Sequence, residues 1–579
     1  MYLYLLPDRL PLHRIMTNST CHTHPHLITL LAMLFFFGSI TAAATEIETT
    51  RLIRALHEQL TTGEALTIRP TPDWPRLRLI YQNYGHRLLW HDAAGRIGEA
   101  GSALQRYIIN STQLGLDPDL YHAQNLTQPP LAQARQIVRN DLLLTDGFLR
   151  LSRHLAQGQI DPGTVDPLWK IPVEQVDSVQ LLDRAVITLA PIPVLESLSP
   201  NASNYRRLLN ALSAYRQIAE RGGWPPLPEA PLIRPGERHD LIPLLRQRLE
   251  VPAEHEQEEN NEATFYDPSL QQAVRQFQRS HGLKQDGIIG AHTRAAMNVP
   301  VEQRIAQIES NLERWRWLPQ QLGDRYILVN IGGYLVQLVE HDQVKLEKHA
   351  IIGSRLRSTP SFTTRVTHLS LNPPWTVPRR IAVEDLLPEQ RRDSEYLLRK
   401  NIQIQRREGE VWVIQDPAMI NWGEYNKYNF PFQLRQSPGD GNSLGRIKFH
   451  MPNPYDIYLH DTPAQGLFGY PVRDFSSGCV RVQDIRGFVL ELLAGTDLET
   501  ATAFTHQLES RESSYFRLPQ PIEVYLVYFT TWVDDSGDVQ FRPDIYNLDR
   551  PLIMSLQQQH PAQGNKLAHR DQAENSLCD

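Results

Sequence analysis

The chain has 579 residues, of which 41% are hydrophobic, so it is too long for one ordinary domain and can bury several cores. Its net charge is −7, with acidic and basic residues interspersed, which argues against a nucleic-acid partner. Three cysteines occur, which is too few for a disulfide framework. They are Cys21, Cys479 and Cys578.

The first 44 residues predict an export signal. The segment from Leu27 to Ala44 is apolar and ends in small residues that suit a signal peptidase. We therefore expect a signal peptide over residues 1–44, and its cleavage would remove Cys21. An uncleaved N-terminal membrane anchor is the alternative, although this segment is short for a membrane span.

Residues 45–223 predict a helical scaffold domain. Apolar residues recur three and four positions apart in segments such as ETTRLIRALHEQL and LLLTDGFLRLSRHL. Breaks rich in Gly, Asp and Pro separate these segments. Residues 224–239 are rich in proline and can form neither a helix nor a central strand. They predict a semi-rigid linker and a domain boundary.

Residues 240–300 predict a small domain of three helices. The amphipathic segment DLIPLLRQRLE precedes an acidic run, EHEQEENNE, which predicts a solvated loop. A second helix over SLQQAVRQFQRSHGL leads to the turn DGIIG and to a third helix near His292. The patterns A-V-x-x-F-Q and G-L-x-x-D-G-x-x-G-x-x-T in this region resemble the peptidoglycan-binding domain family. That resemblance implies binding to wall glycan or stem peptide, and a generic helical spacer is the alternative.

Residues 301–555 predict a mainly-β domain that follows a bridging helix. A periodicity of two in RYILVNI, YLVQLVE and KLEKHAII indicates three short strands. A stretch at about 380–442, rich in Asn, Pro, Gly and aromatic residues, predicts an inserted cap subdomain. Its Trp422 and Tyr425 are candidates to close over an extended peptide, as are Trp375 and Tyr428. Residues 556–579, which include Cys578, are polar and predict a disordered tail.

The candidate catalytic residues lie between Tyr458 and Val482. His460 precedes Cys479 by 19 residues. A free thiol with a pKa of about 8.5 is mostly protonated at neutral pH, so a catalytic cysteine needs an imidazole to take its proton. His460 is therefore the predicted base. Alternation along the strand DIYLHD places Tyr458 on the same face, where its phenol could orient the imidazole.

Small residues precede Cys479 and a cation follows it. Ser477 and Gly478 would expose the thiol and let backbone N–H groups converge on a tetrahedral oxyanion. Arg481 lies two residues beyond the cysteine, where its guanidinium could bind a substrate carboxylate or raise the thiolate fraction. A surface ion pair is the alternative role for Arg481.

The segment from His460 to S-S-G-C-V-R-V resembles the catalytic motif of the YkuD-type L,D-transpeptidase family. The longer pattern from Asn442, N-x-L-G-R-I-K-F-x-M-P-N…Y-L-H-D-T-P, is similar to the YcbB-type periplasmic branch. Ser477 stands where the commoner family pattern has a histidine. The resemblance implies an α+β multidomain protein with a helical scaffold, a three-helix peptidoglycan-binding domain and a mainly-β catalytic domain with an inserted cap.

The implied activity is acyl transfer between peptidoglycan stem peptides, which forms 3→3 cross-links. Cys479 would attack the carbonyl of diaminopimelate, the third stem residue, and release the terminal D-alanine, with His460 as general base. The resemblance also implies a periplasmic enzyme of cell-wall biogenesis and cell shape. Its expected partners are stem peptides, glycan and wall-synthesis enzymes, with carbapenem-type β-lactams as inhibitors. No cofactor and no metal is indicated, and the physiological acceptor is left open.

Other functions remain as alternatives. A papain-like endopeptidase usually places its cysteine before its histidine, which is the reverse of the order here. A zinc hydrolase using His450, His460 and Cys479 lacks the short-spaced histidine pairs of catalytic zinc sites. Water attack on the thioester would make the protein an L,D-carboxypeptidase. A non-catalytic wall-binding scaffold would not need the nucleophile and base that this sequence retains.

Overall fold

The computed structural model describes residues 46, 48–63, 68–127, 133–251 and 263–559. The predicted signal segment, the acidic run, Cys21 and Cys578 lie outside the described residues. The chain forms two compact units. Among the described residues, the first comprises 46, 48–63, 73–101 and 133–142, and the second comprises 68–72, 102–127, 143–251 and 263–559. None of the helices within the described ranges is both long and apolar enough to cross a membrane.

The N-terminal part of the chain is helical, which confirms the predicted scaffold. Its amphipathic helices bury one apolar face, as Leu208 and Leu212 do on the helix Ser203–Glu220. The helices and helical turns of this part span 48–62, Trp74–Asn83, Glu99–Ile109, Ser111–Leu114, Pro118–Tyr121, Ala123–Leu126, Ala134–Gln157, Pro162–Val165, Ser178–Thr188, Pro191–Glu196 and Ser203–Glu220.

The first unit contains a buried carboxylate. Asp141 accepts a hydrogen bond from the Tyr81 hydroxyl at 2.5 Å. It also accepts from the backbone N–H groups of Leu89 and Trp90 at 3.0 and 2.9 Å. Because an unpaired buried carboxylate would be costly, these bonds fix the backbone of the loop to the helix that carries Asp141.

The module predicted at 240–300 has three helices. Its proline-rich neighbour differs from the expected linker, because Leu227 and Ile233 are only 4% and 1% exposed and belong to the core of the module. Ile233 also forms a β-bridge with Ile289. Apolar side chains in an otherwise extended segment are more stable when buried, so the stretch packs on the module. The helices span Ile242–Leu249, Pro268–Ser280 and Ala291–Met297.

The C-terminal domain follows the bridging helix Val301–Arg316 and is mainly β. Its described strands are β1 (Arg325–Asn330), β2 (Leu335–Glu340), β3 (Gln343–Ile351), β4 (Phe362–Leu371), β5 (Trp375–Thr376), β6 (Ile402–Glu408), β7 (Val411–Gln415), β8 (Phe432–Gln436), β9 (Ile447–Phe449), β10 (Leu459–His460), β11 (Val480–Val482), β12 (Ser514–Val527), β13 (Thr531–Val533) and β14 (Val539–Phe541). The helices around them span Ile485–Leu492, Leu498–Glu509 and Asp549–Gln558, with short turns at Arg355–Arg357 and Gln465–Gly469.

Eight strands close into a barrel in the order β1-β12-β4-β9-β10-β11-β3-β2. The pairs β1–β12 and β10–β11 are parallel, and the other neighbours are antiparallel. All eight strands contribute apolar side chains to one core. Closure leaves no free sheet edge, which makes the barrel a rigid support for groups on its outer face.

The scaffold helices and the barrel share a second hydrophobic core. It includes Leu208 from the scaffold, Trp315 from the bridging helix, and Leu328 and Val527 from β1 and β12. Because apolar burial joins these elements, these scaffold helices and the barrel are expected to be stable together rather than as separate modules.

The predicted cap is a subdomain with its own apolar core, which includes Leu397, Ile404 and Leu434. Its strands form a sheet in the order β5-β8-β6-β7. The subdomain spans residues 375–436, slightly earlier than the predicted 380–442. Its helices and turns span Arg379–Ile381, Ala382–Leu386, Leu387–Arg392, Tyr396–Arg399, Pro417–Met419 and Trp422–Glu424.

Candidate active site

A row of polar side chains crosses three neighbouring strands on the outer face of the barrel. Lys448 of β9 pairs with His460 of β10, and His460 pairs with Arg481 of β11. Leu459 and Val480, their neighbours along the strands, belong to the barrel core and are fully buried. Because side chains alternate along a strand, the row points to the opposite, outer face.

Cys479 and Tyr458 lie on the same outer face as this row, each two residues before one of its members. The Val480 N–H donates to the Tyr458 carbonyl at 2.9 Å as part of the parallel pairing of β10 and β11, and Cys479 lies directly before β11. The predicted base thus lies on β10, and the predicted nucleophile directly precedes the neighbouring strand β11. No hydrogen bond joins Sγ of Cys479 to the His460 ring in this structure, and such bonds often shorten only when substrate binds.

The His460 ring is buried, with 5% of the residue exposed. Its Nδ1 lies 2.6 Å from the Asp461 carbonyl oxygen, so the neutral ring carries its proton there and leaves Nε2 as an acceptor. Burial, assisted by the positive charges of Arg481 and Lys448, lowers the pKa of His460 to about 3, against the opposing effect of the Asp461 and Leu444 carbonyls. The ring is therefore neutral at physiological pH and able to accept a proton.

The thiol of Cys479 is partly exposed, and its Sγ lies 3.5 Å from the Asp456 carbonyl oxygen. Burial raises the pKa of Cys479 above its ordinary value. The Tyr458 N–H and the cations Lys448 and Arg481 oppose that shift, because each favours the thiolate. The resting pair is a neutral thiol beside a neutral imidazole.

The N–H groups of the loop before Cys479 differ in whether they already have an acceptor. The N–H of Gly478 donates to the Ser476 hydroxyl at 3.1 Å and is therefore occupied. The N–H groups of Ser477 and Cys479 have no acceptor within the part of the chain that the structure describes. These two groups, rather than that of Gly478, are available to an oxyanion.

Gly478 is needed for the shape of the loop. Its φ is 119°, a conformation that side chains rarely adopt, and an added Cβ would lie 2.9 Å from Cδ1 of Ile457. Its carbonyl accepts a hydrogen bond from Thr359 Oγ1 at 2.7 Å. Tyr546, in turn, accepts from the Thr359 N–H at 3.1 Å and donates to the Gly353 carbonyl at 2.6 Å. Hydrogen bonds through Thr359 and Tyr546 therefore fix the loop that carries Cys479.

The contacts of the Tyr458 side chain are with Asp456 and Lys448. Its hydroxyl donates to Asp456 Oδ1 at 3.3 Å, and Lys448 Nζ lies 3.5 Å from the centre of its ring. The imidazole of His460 is instead oriented by the Asp461 carbonyl. The phenol ring therefore positions the Lys448 ammonium through a cation–π contact, and its predicted role in orienting His460 stays a prediction.

The predicted cap residues Trp422 and Tyr425 pack inside the cap. Trp422 is 8% exposed, and its indole N–H donates to the Pro417 carbonyl at 3.1 Å. The ring of Tyr425 packs edge-on against Phe432, with centroids 4.9 Å apart. Tyr428 is 82% exposed. A substrate-binding role for Trp422 and Tyr425 stays a prediction, and their contacts here are those of core residues.

Two residues of the site were missed from the sequence, Lys448 and Arg357. Neither Lys448 nor Arg481 has a carboxylate partner within ion-pair distance among the described residues, and Arg481 Nε is buried without a hydrogen bond. Arg357 donates to the Ser477 hydroxyl at 2.8 Å. The alternating pattern in RIKFHM predicts which face of its strand Lys448 occupies. The pairing of Lys448 with His460, however, depends on the register between β9 and β10, which this local pattern does not give.

The arrangement defines a class of protein: a barrel enzyme with a cysteine beside a neutral histidine, joined to a helical module and a scaffold. Residues 324–499 match the family model described as the L,D-transpeptidase catalytic domain. Residues 247–297 match a peptidoglycan-binding domain described as putative, and residues 75–212 match a scaffold domain. The chain therefore carries an L,D-transpeptidase catalytic domain together with scaffold and peptidoglycan-binding domains, which agrees with the resemblance found in the sequence.

A relative supports the same family. A protein of Haemophilus influenzae, described as a putative L,D-transpeptidase, is 35% identical over 258 residues, which cover 44% of this chain and 50% of the relative. The chain thus spans about half the length of the curated relative it matches.

Two solved structures give only remote likenesses. An L,D-transpeptidase from Xylanimonas cellulosilytica matches at 15% identity and a TM-score of 0.17, covering 52% of this chain and all of that one. A fused amidase, peptidase and peptidoglycan-binding protein from Clostridium acetobutylicum matches at 11% identity and a TM-score of 0.16, with the same coverage.

The described residues contain no group of three or more His, Cys, Asp and Glu side chains arranged to hold a metal ion.

Proposed function

We propose that this protein forms 3→3 cross-links between peptidoglycan stem peptides through a thioester on Cys479, with His460 as general base. The observation that carries the proposal is that a neutral, backbone-oriented His460 on β10 and Cys479, directly before the neighbouring strand β11, lie on one barrel face. A periplasmic location follows from the wall substrate and the predicted export signal.

In the first step the thiol of Cys479 attacks the carbonyl carbon of diaminopimelate. Its proton passes to Nε2 of His460, a C–S bond forms, and the oxyanion is stabilised by the N–H groups of Ser477 and Cys479. The C–N bond to the terminal D-alanine then breaks, and the leaving nitrogen takes the proton from His460. A thioester and free D-alanine result.

In the second step the side-chain amine of another stem attacks the thioester. Its proton passes to His460, the C–S bond breaks, and the thiolate is reprotonated. Water in place of the amine would give L,D-carboxypeptidase activity, which is the second candidate function. The cap favours the amine because a covered thioester meets less water.

The cations Lys448 and Arg481 suit a donor that carries a carboxylate near the scissile bond. Neither forms an ion pair with a carboxylate of the described residues, and a guanidinium beside Cys479 can bind a carboxylate with two hydrogen bonds. We assign the C-terminal carboxylate of the donor to this pair, with the more buried Arg481 as its main partner.

The test uses tetrapeptide-bearing muropeptides with the purified protein and with Cys479→Ala. We expect wild type to release D-alanine, to gain the mass of the acyl group and to yield a cross-linked dimer, and Cys479→Ala to do none of these. Acylation of wild type by a carbapenem-type β-lactam, checked by intact mass, tests the nucleophile by itself. Absence of both the thioester and D-alanine in wild type would reject the proposal.

A further inference from the structure

The cap has few attachments to the barrel. Its core is built from its own side chains, and two connecting segments, before β5 and after β8, lead into it. The body of the cap comprises residues 377–434. Apart from those two segments, the described residues contain one side chain, Arg357, whose hydrogen bonds and ion pairs join this body to the rest of the chain.

Arg357 binds the cap through two carboxylates. Its guanidinium donates to both oxygens of Asp385, at 2.5 and 2.7 Å, and to Glu384 at 2.8 Å. Its side chain is 16% exposed, whereas those of Asp385 and Glu384 are 40% and 42% exposed. A two-pronged contact of this kind needs the planar fork of arginine and is stronger and more directional than a lysine ion pair.

The same guanidinium reaches the loop that carries the nucleophile. Nη1 of Arg357, which binds Asp385, also donates to the Ser477 hydroxyl at 2.8 Å. Ser477 lies two residues before Cys479, and its N–H is one of the two groups available to the oxyanion. One side chain therefore links the position of the cap to the position of the catalytic loop.

We propose that Arg357 is a positioning residue that holds the cap closed over the nucleophile and so selects an amine acceptor over water. The inference rests on the proposed function, because it concerns the fate of the Cys479 thioester. With the contact to Asp385 intact, the cap covers the acyl group. When that contact is lost, the two connecting segments alone hold the cap, and water reaches the thioester more often.

Arg380 offers a matched control. It lies in the cap and donates to Glu384 at 2.9 Å, but its side chain is 58% exposed and does not bridge to the barrel. Substitution of Arg380 removes a positive charge that lies beside the Glu384 carboxylate, and it leaves the hydrogen bond from Arg357 to Ser477 in place. A merely electrostatic effect on the cap would therefore appear in both Arg357 and Arg380 variants.

The experiment measures the ratio of cross-linked dimer to hydrolysed tripeptide at fixed donor and amine acceptor. The variants are Asp385→Asn, Arg357→Lys, Arg357→Gln and the control Arg380→Gln. For Asp385→Asn we expect the ratio to fall by about tenfold, the factor that loss of a charge-assisted hydrogen bond commonly produces. The ratio should fall by less in Arg357→Lys than in Arg357→Gln. In Arg380→Gln the ratio should equal that of wild type.

The rate of thioester formation separates the possible outcomes. Asp385→Asn leaves the bond from Arg357 to Ser477 in place, so its acylation rate should stay near that of wild type while the product ratio falls. If the thioester forms and the product ratio is unchanged in Asp385→Asn and Arg357→Gln, the inference is wrong although the proposed function stands. If wild type forms no thioester, the proposed function fails first. Asp385→Asn also keeps the test decisive should Arg357→Gln not fold.

Discussion

The buried His460 ring determines how the site responds to pH. Its pKa of about 3 lies well below the ordinary value of 6.5 because burial and two neighbouring cations disfavour the charged ring. A ring with a lowered pKa stays neutral as the pH falls through 6.5 and becomes charged only near pH 3. Over the physiological range, the ionisation that matters is thus that of the Cys479 thiol, whose pKa is raised by burial.

We expect the rate of acylation by a carbapenem to show no ionisation near pH 6.5. The rate should rise toward alkaline pH as the thiolate fraction of Cys479 grows. The measurement is the second-order acylation rate constant from about pH 5 to about pH 9, the range that covers both ordinary pKa values. An acid limb centred near the ordinary histidine pKa, and abolished in His460→Gln, would contradict the neutral resting ring.

Lys448 is expected to favour the thiolate. Its positive charge lowers the pKa of Cys479, so Lys448→Met should raise that pKa further and slow alkylation of the thiol at neutral pH. Lys448→Arg should retain most of the effect. The measurement is the pH dependence of alkylation by iodoacetamide, with Lys345→Met on the exposed part of β3 as the control for loss of a lysine. An unchanged midpoint in Lys448→Met would remove Lys448 from this role.

At the scale of the elements, the loop from Ser476 to Cys479 depends on one backbone conformation. Gly478→Ala would combine a φ of 119° with a Cβ only 2.9 Å from Ile457. We expect a stability loss of about 1–3 kcal/mol and a larger loss of acylation, because the shift moves the Cys479 N–H. Gly466→Ala, where an added Cβ would meet nothing within 4 Å, is the control, with urea unfolding and acylation measured for both. Acylation that falls only in proportion to stability would contradict a role in the oxyanion site.

Local patterns predicted the elements better than the contacts between them. Alternation identified β1, β2 and β3, and helical spacing identified the three helices of the binding module. The parallel pairing of β1 with β12 closes the barrel between segments nearly 200 residues apart, and no local signal encodes it. For the same reason the pairing of Lys448 with His460 and the reach of Arg357 to the cap could not be predicted. Cys479 and His460 could be predicted because both lie in one short sequence segment, 19 residues apart, where a thiol and an imidazole form a recognisable pattern.

On the scale of the whole molecule, a buried ionic cluster joins the scaffold to the catalytic domain. Glu313 of the bridging helix accepts from the Ile160 N–H at 2.8 Å and pairs with Arg316 at 3.1 Å, and both side chains are fully buried. Arg316 also donates to Tyr205 Oη at 3.2 Å and to the Leu114 carbonyl at 2.5 Å. These partners come from separate scaffold segments, so the cluster fixes them to one helix.

Glu313→Gln should therefore destabilise the scaffold and the barrel together. Removing one partner of a buried pair leaves an uncompensated charge, here Arg316, at a cost of about 3–5 kcal/mol. Glu309→Gln on the same helix removes a partner of Arg216 from an ion pair whose side chains are about 30% exposed, and should cost about 1 kcal/mol or less. The measurement is urea unfolding followed by tryptophan fluorescence. Because the scaffold and barrel share a hydrophobic core, Glu313→Gln should shift their unfolding as one transition to lower urea. An early transition of the scaffold alone, with the barrel unaffected, would contradict this coupling.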